Sequence, residues 1–128
     1  MKKVLTDIKD QYRILVPLDM EAEDRMYRYE IYNDDANIDE CFDYLIFNYE
    51  TEEYIERRLF RLINAKFNII INIYEEEILE NKDIPEAIEL VKRVINNNDD
   101  DRLVEFATDL IDLFEIAQEK GTSVGFYF

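Results

Sequence analysis

Two glycines, Gly121 and Gly125, and two prolines, Pro17 and Pro85, are all that punctuate this 128-residue chain. Tight turns draw on glycine for positive φ and on proline for a preset φ, so a many-stranded all-β domain needs more of both. The scarcity predicts long helices joined by few connections. The length suits one domain, residues 1–128.

The second half of the chain carries the clearest helical patterns. Asp83-Ile84-Pro85-Glu86 reads as a helix start, with proline tolerated in the first turn. Ile84, Ala87, Ile88, Val91, Val94 and Ile95 then recur at helical spacing until Asn96-Asn97-Asn98-Asp99-Asp100 interrupts them. A further helix runs from about 101 to 120, with Leu103, Phe106, Ala107, Leu110, Phe114 and Ala117 on one stripe. It closes at Lys120-Gly121, a cation followed by glycine. The short connection predicts an antiparallel helix pair. Thr122 to Phe128 reads as a terminal strand.

The first half is read from shorter signals. Ile14 to Leu18 is expected to be a short strand or extended segment. Arg25 to Tyr32 alternates, with Tyr27, Tyr29 and Ile31 on one face, which predicts a strand. Ile38, Phe42, Leu45, Ile46 and Tyr49 fit a helix capped near Asn37. From about Glu52 the stripe of Ile55, Leu59, Leu62, Ile63, Phe67 and Ile70 continues the period. Residues 68–74 have the β-branched density of a strand, yet the helical period runs on through Ile73, Tyr74 and Ile78. One long helix is the favoured reading, with a strand as the alternative. The expected fold is therefore α+β and mainly helical. It has about four helices and a small antiparallel sheet made from N-terminal strands and a C-terminal strand.

Charge comes next. Thirty-one acids face fifteen lysines and arginines, a formal net charge of -16. Such acidity does not imply disorder here, because 48% of residues are hydrophobic and the chain has nine Tyr and eight Phe. The charge is also blocked along the sequence. Residues 19–53 hold thirteen acids against Arg25 and Arg28, a net of -11. Residues 54–74 reverse the sign, with Arg57, Arg58, Arg61 and Lys66 against Glu56. Those arginines are expected to pair with acids one helical turn away. On the 101–120 helix, Asp101, Glu105, Asp109, Asp112 and Glu119 follow solvent-side spacing.

Several chemistries lose their residues at this point. Without histidine there is no His-based triad, proton shuttle or His metal site. Cys41, the single cysteine, lies beside Glu40 and Asp43, whose charges oppose thiolate formation. Ser123 is the only serine and has no adjacent base. Asp35-x-Asn37-x-Asp39 imitates a calcium loop, but its sixth position is Glu40 rather than glycine and its twelfth is Ile46. No enzyme activity, cofactor or metal is expected. Direct nucleic-acid binding is unexpected as well, because phosphate contacts need a basic face. Asp7 and Asp10 interrupt any apolar leader after Met1-Lys2-Lys3, and no run approaches a membrane span. With no disulfide possible within the chain, a cytoplasmic protein without membrane contact is expected.

The informative feature is the mixing of acids with tyrosines between residues 32 and 54. The candidate partner-binding residues are Tyr32, Asp34, Asp35, Asp39, Glu40, Asp43, Tyr44, Glu50, Glu52 and Glu53. Rings supply buried area at an interface, and carboxylates meet arginine or lysine. In size, charge and Tyr-rich acidic stretches such as Ile31-Tyr32-Asn33-Asp34-Asp35, the chain resembles the small acidic immunity proteins of bacterial polymorphic and contact-dependent toxin systems. That resemblance implies a cytoplasmic inhibitor that blocks a basic toxin domain, often a nuclease. Two other readings stay open: a phage-encoded inhibitor or nucleic-acid mimic acting on a defence or DNA-binding protein, and a structural or adaptor subunit.

Overall fold

The computed structural model describes residues 2–5, 12–28, 38–73 and 76–128. Its centre is a five-stranded mixed sheet in the order β1-β3-β2-β5-β4. The strands are β1 (Lys2–Val4), β2 (Tyr12–Pro17), β3 (Phe42–Phe47), β4 (Glu76–Leu79) and β5 (Val124–Tyr127). β3 runs antiparallel to β2 and sits between β2 and β1, which leaves β1 parallel to β3. All other pairings are antiparallel. The expected sheet of terminal strands is therefore present, but it is larger than expected and mixed rather than purely antiparallel.

The helices are α1 (Met20–Tyr27), the single turn α2 (Ile38–Cys41), α3 (Tyr49–Ile55), α4 (Arg61–Phe67), α5 (Ile84–Asn96) and α6 (Asp101–Lys120). A π turn, Glu56–Phe60, joins α3 to α4 without a break. The α+β, mainly helical class holds. The α5 and α6 boundaries agree closely with the sequence reading. Gly121 ends α6 at φ 70°, and Asp100 caps its start by accepting from the amides of Arg102 and Leu103. Residues from the start of α5 and the end of α6 line one groove, so the two helices run antiparallel.

Three segments depart from expectation, each for a physical reason. Residues 29–32 of one expected strand lie outside the described residues, and Arg25 to Tyr27, expected to open it, belong instead to the helix Met20–Tyr27. Asp19 caps it by accepting from the Ala22 amide at 2.8 Å, and Ala22 and Met26, four apart, are buried together. That cap and that i,i+4 pair outweigh the tyrosine alternation that begins at Tyr27. Residues 42–47 form a strand and not a helix. β3 lies inside the sheet with helices over it, so it needs apolar residues on both faces and loses the alternation that marks a strand. The long helix stops at Asn68, which takes the left-handed conformation at φ 55°. Asn64 then binds the chain beyond it: its side chain accepts from the Ile71 amide at 2.8 Å and donates to the Ile71 carbonyl at 3.2 Å. Ile78, expected on that helix, lies in β4 instead.

One face of the sheet carries the main core. Ile14, Val16, Leu45, Phe47, Leu79, Val124 and Phe126 meet the apolar stripes of α5 and α6, the π turn and α4. Rings dominate its middle: Phe47 stands edge-on to Phe106 with centroids 5.1 Å apart, and Phe60 approaches Phe106 and Phe126 at 5.9 and 6.1 Å. Such pairs add roughly 0.5–1.5 kcal/mol each beyond area burial. On the opposite face, α1 covers Leu15, Phe42 and Tyr127 through Ala22 and Met26. Gly125 permits that closure, since a Cβ there would meet the Tyr127 ring at 2.5 Å and Met26 Sδ at 2.7 Å.

Candidate functional site

The sheet divides the candidate residues between its two ends. α2 precedes β3 and α3 follows it. The six residues of β3 span roughly 20 Å, so Glu40 and Asp43 stand at one end while Glu50, Glu52 and Glu53 stand at the other. Glu40, Glu50 and Glu53 are exposed. Asp43 and Tyr44 are half-buried in β3, and both attend to Lys2: its Nζ lies 3.6 Å from Asp43 Oδ1 and 5.5 Å from the Tyr44 ring centre. Glu52 is buried, which takes it out of any partner contact. Asp39 lies in α2. Tyr32, Asp34 and Asp35 fall outside the described residues. The ten candidates are thus not one face.

The end that carries α1 and α2 is the more acidic. The two helices flank the 29–37 segment and lie side by side: the Leu18 amide donates to the Cys41 carbonyl at 2.9 Å, and Arg25 Nη1 reaches Cys41 Sγ at 3.9 Å. The described residues of this end, 19–28 and 38–43, contain seven carboxylates against Arg25 and Arg28. On the surface, Asp19, Glu21, Asp24 and Glu40 are exposed, and α1 also exposes Met20, to 64%, and Tyr27, to 43%. Arg28 is occupied by Asp24 at 2.8 Å. α1 is held firmly beneath this surface. Glu23 accepts from the Ser123 amide at 2.6 Å, Tyr27 Oη and Ser123 Oγ lie 3.1 Å apart, and Tyr127 Oη donates to the Met26 carbonyl at 3.2 Å. Ser123 therefore serves as an anchor for α1.

The other end holds a second arrangement, built from the basic interval. Tyr54 of α3 carries two guanidinium groups against its ring, with Arg58 Cζ 4.0 Å and Arg102 Cζ 4.3 Å from the ring centre. Arg58 Nη1 also donates to the Tyr54 carbonyl at 2.7 Å, and Tyr54 Oη donates to the Asp100 carboxylate. Among the described residues no carboxylate lies within 4.0 Å of Arg57, Arg58, Arg61 or Arg102. The expected pairing with acids one turn away is absent there. Sequence could suggest the Tyr54–Arg58 spacing of four, but Arg102 arrives from α6 and had no sequence signal.

A third electrostatic contact ties β1 to α6. Lys3 Nζ donates to Asp109 at 2.7 Å, with Glu105 at 3.9 Å. The hydrogen bond to Asp109 raises the Lys3 pKa most; burial opposes it as the next-largest influence, and the charges of Asp109, Glu105 and Asp112 add to the rise. Asp109, placed on the solvent side by its spacing, is instead buried.

No helix among the described residues is long and apolar enough to cross a membrane. Comparison with family models, with characterised proteins and with solved structures yields no match to this chain.

Proposed function

We propose that this protein is an acidic binding protein that neutralises a basic protein partner, acting as the small immunity proteins of bacterial toxin systems do. In this reading the partner is a basic toxin domain such as a nuclease, met in the cytoplasm, and the α1–α2 end is the contact surface. The observation that carries the reading is the exposure of Met20 and Tyr27 at the end where Asp19, Glu21, Asp24 and Glu40 are exposed. Exposed apolar and aromatic side chains on a carboxylate-rich helix suit an interface: the ring and the thioether bury area, and the carboxylates choose a basic partner. Opposite fields also speed encounter, which matters for an inhibitor that must capture a toxin before damage accumulates.

The test is co-expression with candidate basic nuclease toxin domains. Co-purification at low salt and rescue of growth are expected. Replacing Glu21, Asp24 and Glu40 by lysine together removes both while leaving the fold intact by circular dichroism. A folded triple variant that still rescues places the contact elsewhere, and a wild-type chain that neither binds nor rescues ends the immunity reading.

A further inference from the structure

The most unusual electrostatic feature of this acidic chain is an arginine cluster with no carboxylate within 4.0 Å of its guanidinium groups among the described residues. Arg57, Arg58 and Arg102 line an open groove of about 450 Å³ together with Tyr54, Glu50 and Glu53. Thirty-one carboxylates were available to neutralise these groups. Asp100, two residues before Arg102, is committed elsewhere: it accepts from the Tyr54 hydroxyl and from the Arg102 and Leu103 amides. Arg58 and Arg102 meanwhile both lie against the Tyr54 ring, which lowers the side-chain entropy left to lose on binding. Their forked N–H groups stay unspent on any carboxylate of the described residues. Ordered guanidinium groups with open forks are receptors for oxyanions.

We propose that the groove formed by α3, the π turn and the start of α6 binds a small phosphate monoester, held by Arg58 and Arg102 with Arg57 adding charge. The number of guanidinium groups favours a dianion with several acceptor oxygens over a single carboxylate. Glu50 and Glu53 on the same groove, and the charge of the whole chain, select against polyanions, so nucleic acid is disfavoured. A π turn supplies both Arg57 and Arg58, and π segments often mark functional sites because an extra residue in the turn re-aims the side chains. This site lies at the opposite end of β3 from the α1–α2 surface and stands independently of the reading given for that surface.

Titration of the full chain with inorganic phosphate in chloride buffer near neutral pH tests the site, read by NMR of the arginine Nε–Hε groups and the α3 amides. Saturable shifts at Arg58 and Arg102 in the millimolar range are expected, with none from acetate at equal ionic strength. Arg102→Gln weakens phosphate binding about tenfold, the worth of one charge-assisted pair. Glu50→Gln with Glu53→Gln tightens it severalfold, a direction that a damaged fold does not produce. Shifts that rise linearly without saturating overturn the proposal. Acetate binding as tightly as phosphate, or a Glu50/Glu53 double variant that weakens binding, does so as well.

Discussion

Glu52 is a glutamate buried in the first turns of α3, and its surroundings work against its charge. Burial pushes its pKa up from an ordinary value near 4.5 to about 7, with the charges of Glu56 and Glu53 adding to the effect. A carboxyl with a raised folded-state pKa holds its proton longer in the native chain than in the unfolded one. Stability is therefore lost as pH rises from about 4.5 to about 7, the reverse of the usual carboxylate. Glu52→Gln is expected to stabilise the protein above pH 7 by about 1–2 kcal/mol, after allowing for solvent screening, and to do little at pH 4. Denaturant unfolding at the two pH values measures this, and an equal effect at both contradicts it. Gly125 poses a steric problem of the same scale. Gly125→Ala puts a methyl against the Tyr127 ring and Met26 Sδ beneath α1. A loss of about 1–3 kcal/mol is expected, as for other overpacked sites. Unchanged thermal unfolding would show that α1 yields easily.

Among the elements, the end of α4 shows how a local polar contact overrides a period. The apolar repeat from Ile55 through Ile70 gives no reason to stop, yet Asn64 folds the chain back by bonding both backbone groups of Ile71. Asn64→Ala leaves that amide and carbonyl without their partner, at a cost of about 1–3 kcal/mol. Hydrogen exchange is the suitable measurement, with protection lost around Ile71 and retained in α6; an undisturbed Ile71 amide would contradict it. The same contrast explains what was legible in the sequence. α5, α6 and β5 could be read because amphipathic faces, a cap and a glycine stop agree at those places. β3 could not, because Phe42 to Phe47 is covered on both faces and a buried strand has no period of its own. α1 was misread since its cap at Asp19 and its Ala22–Met26 pair are short signals beside a louder run of tyrosines. β4 carries Glu76 and Glu77 on a sheet edge, where charge guards against pairing with other chains and hides the strand from a hydrophobicity reading. For the candidate site, sequence located the acidic blocks, but a strand of roughly 20 Å separates Glu40 from Glu50 and Glu53. Long-range partners such as Arg102 beside Tyr54 have no sequence signature.

At the scale of the whole molecule, a charge of -16 opposes compaction, and the Phe-rich core has to outweigh that repulsion. Raising ionic strength from low salt to about 0.15 M, where the screening length falls to about 8 Å, is expected to raise the melting temperature by several degrees. A melting temperature that falls with salt would mean that internal pairs such as Lys3–Asp109 dominate over global repulsion. The charge is unequal between the two ends of the sheet: a carboxylate-rich surface on α1 and α2 at one, and at the other arginines around Tyr54 with no carboxylate within 4.0 Å among the described residues. The central claim is that the first of these steers a basic partner. Its most direct measurement is the association rate with a basic toxin domain captured in co-expression, as a function of salt, for the wild type and for the chain with Glu21, Asp24 and Glu40 all changed to lysine. A wild-type rate that falls steeply with salt, and a variant at least about tenfold slower at low salt, is the predicted result. Equal rates for the two proteins, or a wild-type rate indifferent to salt, would contradict it.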